Sequence, residues 1–220
     1  MDGLAHQLML YPPHQTMGYA ELAHWVQPQL PHDRPFVLLG ESFGGPLALL
    51  LAGCGQGNMY LAPPAQLKGV VLAASFAGCA VPWALPLLPL IRNLPARTLH
   101  AVPAAAWHWW LLGRWATPPL QAALKQALGH ASPKVLQHRA MEALQPPALD
   151  MQRLRVPLLA IRAAKDRLVP SGSVQPFAHL PNSQTITIPG PHMLLQTVSD
   201  TCAPPIAAFM QKCCGNSENT

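Results

Sequence analysis

Short apolar runs and stretches of helical periodicity alternate along most of this 220-residue chain. Residues 7–11 form a brief apolar run closed by Pro12-Pro13, the pattern of a strand end. Across 16–30, Met17, Leu22, Trp25, Val26 and Leu30 recur at roughly helical spacing before Pro31, which predicts a helix. A second strand is expected over 35–39, ending in Gly40, and a buried helix over 46–52, stopped by Gly53 and Gly55. The next strand is 70–74. After residue 150 the alternation resumes, with a strand at 156–162, a helix around 172–180, a strand at 184–188 and a last helix over 193–212. Such alternation implies an α/β fold, a mainly parallel sheet with helices on both faces. Functional residues are then expected in loops beyond the carboxyl ends of the strands.

The stretch 80–150 interrupts this rhythm. It carries five of the six tryptophans, Trp83, Trp107, Trp109, Trp110 and Trp115, among prolines, with helical patterns at 118–129 and 133–144 and no strand signal. Half of the chain is hydrophobic and only 10% is charged, so one sizeable core can form, with room for an inserted subdomain. The net charge of +5 comes from scattered Lys and Arg, which excludes a dense nucleic-acid platform. Five cysteines, Cys54, Cys79, Cys202, Cys213 and Cys214, show no paired spacing, so neither a disulfide framework nor a metal site is indicated. Cys213 and Cys214 fall in a polar tail, 213–220, expected to be disordered. The N-terminus lacks the pattern of a signal peptide, and the apolar stretches 81–91 and 101–112 are short and broken by prolines, wrong for a membrane span. The expectation is a soluble cytoplasmic protein. Nothing in the sequence indicates an oligomeric state.

The candidate chemistry starts at Gly40-Glu41-Ser42-Phe43-Gly44, between an apolar strand and an apolar helix. A serine on such a strained strand-to-helix turn is exposed for attack, and the flanking glycines leave space where side chains would collide. The alternative is an ordinary Gly/Ser turn. A serine needs a base, and His192, after the last strand and before the last helix, is the only one of the ten histidines so placed. Asp166, just past strand 156–162, is the candidate to orient that imidazole, in the chain order Ser, Asp, His. Two alternatives compete: a solvated turn in which Lys165 or Arg167 pairs with Asp166, and the rival acid Asp150, which precedes the strand.

These three motifs, Gly40 to Gly45, Ala163 to Pro170 and Gly190 to Gln196, make the sequence resemble the α/β-hydrolase family over about residues 7–212. The resemblance implies that Ser42, Asp166 and His192 form a catalytic triad, with the Phe43 N–H as one oxyanion-hole donor. It implies a hydrolase core of 1–79 and 151–212, an inserted helical cap of 80–150, and no metal or organic cofactor. The expected activity is hydrolysis of a small to medium acyl ester through an acyl-enzyme. A thioesterase or acyltransferase is the near alternative, and a non-catalytic binding protein the distant one. The cap tryptophans Trp83, Trp107 and Trp110 are candidates for an apolar acyl pocket or for the cap's own core. A membrane-surface role is disfavoured, because the basic face of an interfacial helix is absent. Glu41 is a candidate pocket-wall residue that would bias the site against anions.

One departure stands out. In the family's order of elements, 7–11 is the fourth strand, so the first three strands and the loop that carries the second oxyanion donor have no counterpart. A reading frame truncated upstream is the favoured explanation, against a shortened member with a rearranged sheet.

Overall fold

The computed structural model describes residues 6–96, 98 and 102–215; Met1-Asp2-Gly3 and the end of the expected tail, 216–220, lie outside the described residues. In chain order the elements are α1 (Tyr19–Val26), β1 (Phe36–Glu41), α2 (Gly44–Leu49), β2 (Leu67–Ala73), α3 (Leu88–Asn93), α4 (Ala104–Leu111), α5 (Pro118–His130), α6 (Pro133–Leu144), β3 (Leu158–Ala163), α7 (Gln175–Ala178), β4 (Ser183–Ile188), α8 (Leu194–Thr197) and α9 (Ser199–Cys214). The four strands form one parallel sheet in the order β1-β2-β3-β4.

The central strands read as continuous apolar runs because both of their faces are covered. Successive side chains point to opposite faces. Val70, Leu72, Leu158 and Ala160 meet Ala48, Leu49 and Ala52, on α2 and the wider turn Leu50–Cys54 that continues it, together with Phe177 of α7. Val71, Leu159 and Ile161 face the other way, onto Ile206 and Phe209 of α9. Burial of this kind contributes about 1.5–3 kcal/mol per large side chain. Gly53, at φ +87°, ends the continuation of α2 in a conformation open to glycine.

Between β2 and β3 the described residues fold as helices and turns, as the change in composition predicts. Pro118 and Pro133 open α5 and α6 at the first helical position, where a missing N–H costs nothing. Three expectations fail. The run 7–11 keeps the alternation of a strand, with Leu8 and Leu10 outside at 78% and 71% exposure, but joins no ladder. Met9 and Tyr11 instead pack on a cluster that holds Tyr19 of α1, Leu47 of α2 and Leu50 of the turn that continues it, and that needs no backbone pairing. The last helix splits because Val198 sits at φ −137°, ψ 44°, outside the helical region. Cys213 and Cys214 belong to the final turn of α9 rather than to a tail. The stripe Cys202, Ile206, Phe209 and Cys213 extends the core-facing side of that helix.

Candidate active site

β1 ends at Glu41 and α2 starts at Gly44, so the chain reverses within two residues and Ser42 is forced to φ +49°. A non-glycine residue in that region costs about 1–3 kcal/mol, so the surroundings must hold it there. They do so on both sides of the peptide. The Ser42 N–H donates to the Ala73 carbonyl at 2.9 Å, and the Ser42 carbonyl accepts from the Gly45 N–H at 3.0 Å and the Ser75 hydroxyl at 2.8 Å. Ala74, at φ +44°, makes the matching turn at the end of β2 and delivers Ser75 to this position. Added side chains show which glycines are needed. A Cβ on Gly40 would collide with the Gly44 carbonyl, and one on Gly45 with the Ser75 side chain, whereas one on Gly44 would make only ordinary contact with the Tyr11 hydroxyl at 3.5 Å, so the expected collision does not arise there.

The loops after β3 and β4 carry the other two candidates and are tied together. The Ala164 N–H donates to the Ile188 carbonyl at 2.9 Å, and the Lys165 N–H to the Gly190 carbonyl at 3.0 Å. Asp166 Oδ1 accepts the N–H groups of Leu168 and Val169 at 2.8 and 2.9 Å, which aims Oδ2 at His192. The His192 Nδ1–H donates to that oxygen at 2.9 Å, and the Ser42 hydroxyl donates to Nε2 at 2.7 Å. The Asp166 and His192 side chains are only 5% and 3% exposed. Three residues from three loops, up to 150 positions apart, therefore form one continuous hydrogen-bonded relay.

Arg167 and the rival acid Asp150 are engaged elsewhere, and Lys165 forms no salt bridge with Asp166 among the described residues. Arg167 crosses to the helical segment, donating to the Trp109 carbonyl at 2.6 Å with its guanidinium 4.4 Å from the Trp109 ring centre. Asp150 pairs with Arg153 at 3.3 Å and accepts the Gln152 N–H. Phe43 is held by a stacked Tyr19 ring at 4.5 Å, whose hydroxyl donates to the Phe43 carbonyl at 3.1 Å. The Phe43 N–H itself finds no acceptor among the described residues.

The proposed pocket residues divide. Trp107 and Trp110 meet edge to face at 6.0 Å and pack with Leu112, Leu124 and Met193, the neighbour of His192. The Met193 N–H donates to the Leu111 carbonyl at 3.0 Å, so this cluster touches the histidine loop directly. Trp83 lies outside it and is 67% exposed. The two carboxylate oxygens of Glu41 accept from the Leu195 N–H at 3.0 Å and the Gln196 amide at 2.7 Å. Burial, partly offset by those donors and by His192, holds its pKa above the ordinary carboxylate value. Ser75 escapes sequence reasoning; its one signal is its place just past a strand adjacent to β1. A surface hollow of about 400 Å³, lined by Leu88, Pro89, Arg92, Asn93 and Gln145, shares no residue with the relay.

Among the described residues, no cluster of three His, Cys, Asp or Glu is arranged to hold a metal ion, and no helix is long and apolar enough to cross a membrane. The Alpha/beta hydrolase family profile matches residues 9–203. The fold is similar to that of a hydrolase from Pseudomonas aeruginosa PA01, at 18% identity and TM-score 0.68, covering 90% of this chain and 73% of that one. An esterase from Exiguobacterium antarcticum aligns at 16% identity and TM-score 0.69, covering 87% and 73%. The enol-lactonase from Burkholderia xenovorans LB400 aligns at 16% identity and TM-score 0.66, covering 86% and 70%. No curated protein matches the chain by sequence.

Proposed function

The chain belongs to the alpha/beta hydrolase family, and from that premise we propose that it is a serine hydrolase of carboxylic esters with small to medium acyl groups. The observation that carries this reading is the relay from Ser42 through His192 to Asp166, with contacts of 2.7 and 2.9 Å. Ser42 Oγ attacks the ester carbonyl while His192 Nε2 takes its proton. The imidazolium that forms is stabilised by Asp166 across Nδ1–H. His192 then returns the proton to the leaving alcohol, and an acyl group remains on Ser42. Water, deprotonated by the same nitrogen, attacks that acyl-enzyme; as the Ser42 Oγ–acyl bond breaks, His192 returns the proton to Oγ and the acid is released.

In this mechanism the free Phe43 N–H donates to the oxyanion of each tetrahedral intermediate. One such donor is typically worth about 10²–10³ in turnover. Trp107 and Trp110 supply apolar surface beside Met193, suited to an acyl chain, and the helices of 80–150 cover the site as a cap. The test is steady-state hydrolysis of p-nitrophenyl acetate, butyrate and octanoate beside the matching acyl thioesters. The reading expects oxygen-ester turnover that Ser42→Ala removes. Turnover unchanged in Ser42→Ala, or confined to thioesters, overturns it.

A further inference from the structure

Glu41 adjoins the proposed nucleophile in sequence, yet its side chain is committed to the loop that carries the proposed base. Its backbone ends β1, paired with Ala73, and the next residue is Ser42. Oε1 accepts the N–H of Leu195, three residues beyond His192, and Oε2 accepts the side-chain amide of Gln196. Both donors belong to α8, a helix of four residues. An isolated turn that short does not hold itself, and its first N–H groups have no partner within the helix. The carboxylate provides one from across the sheet.

We propose that Glu41 is a positioning residue that ties the nucleophile strand to the histidine loop and so fixes the distance between Ser42 Oγ and His192 Nε2. The proposal rests on the reading of Ser42 and His192 as nucleophile and base. The other hydrogen bonds of the histidine loop lead elsewhere: the Gly190 carbonyl to the Lys165 N–H, His192 Nδ1–H to Asp166, and the Met193 N–H to the Leu111 carbonyl. None of these hydrogen bonds refers the imidazole to β1; the Leu194 side chain shares an apolar cluster with Val37 of β1, a contact without the directionality of a hydrogen bond. Among the described residues, Glu41 is the side chain that joins Ser42's strand to α8 through hydrogen bonds. A single carboxylate bridging both partners holds them in register through the proton transfer, where a shift of about 1 Å can cost on the order of 10² in rate. Its two oxygens face donors on α8, which is why it acts on the loop rather than on substrate charge.

The experiment compares wild type, Glu41→Ala and Glu41→Gln in ester hydrolysis, with melting curves to confirm folding and amide hydrogen exchange at Leu195. Glu41→Ala is expected to lower kcat by about 10–100-fold with KM within about twofold. Glu41→Gln keeps an oxygen for the Leu195 N–H, while the Gln196 amide can turn to accept, so it is expected to recover most of kcat. Leu195 exchange is expected to accelerate in Glu41→Ala alone. A KM effect on charged esters with unchanged kcat would make Glu41 a wall residue and overturn the proposal. So would a Gln variant as slow as the Ala variant, or Leu195 exchange that is the same in all three. If wild type hydrolyses nothing, the ester-hydrolase reading fails by itself, and Leu195 exchange still decides whether the tether exists.

Discussion

The two edges of β1 differ sharply. Toward β2 it is fully paired from Phe36 to Glu41, and the turn that follows is held by Ala73 and Ser75 at every polar atom of the Ser42 peptide. On its other edge no strand is paired among the described residues, Leu39 is 46% exposed, and the nearby run 7–11 rests on α1 and α2 without joining the sheet. The lesson is that the relay draws its support from one direction. Ser42, Asp166 and His192 stand at the ends of β1, β3 and β4, and the interactions that orient them lie on that side.

If the relay is the working part, its chemistry gives the largest effect. Asp166→Asn removes the acceptor charge that sets the His192 tautomer, and kcat for an ester should fall by about 10⁴-fold, with little change in melting temperature. The next test strikes the support. Gly45→Ala drives a methyl into Ser75 and should cost about 1–3 kcal/mol in urea unfolding, along with most activity. Adding Ser75→Gly should return part of that loss. An unchanged midpoint in Gly45→Ala would show that the elbow does not depend on this contact.

How much of this was legible in the sequence depended on how local each signal is. Ser42 is marked by Gly40 and Gly45, which the turn itself demands, and Asp166 and His192 by their places after apolar runs. The expectation of a strand at 7–11 rests on a short apolar run closed by Pro12-Pro13, while ladder formation depends on a neighbour that a local pattern cannot report. Glu41 and Ser75 were out of reach for the same reason. Each bonds to a residue on another element, Ser75 to the Ser42 carbonyl in the turn after β1 and Glu41 to Leu195 in α8, 154 positions away. Cys213 continues the helical spacing of Cys202, Ile206 and Phe209, a long-spaced signal that the polar composition of the following residues masks.

A smaller effect separates the paired side further. Glu41 has a folded-state pKa raised above its ordinary 4.5, chiefly by burial. Its contribution to stability is therefore fully present below that ordinary value and is lost as pH rises through the raised one. His192 and Cys202 are the titratable groups coupled to it. Glu41→Gln lacks this loss, so its melting temperature relative to wild type should climb as pH rises above the ordinary value of 4.5. A flat difference would show that the carboxyl titrates normally. On the open side the smallest response is expected. Leu10→Ser, at a residue 71% exposed, should alter unfolding free energy by no more than about 0.5 kcal/mol and leave kcat unchanged. A large loss there would mean that the outer edge supports the site after all.

The most direct measurement of the central claim is mass spectrometry of the folded protein after exposure to a fluorophosphonate. Such a reagent bonds only to a serine whose proton a neighbouring base can take. The account predicts one covalent adduct, on Ser42, abolished by Ser42→Ala and strongly slowed by His192→Ala. Folded protein that stays unmodified, or an adduct that persists in Ser42→Ala, would contradict it.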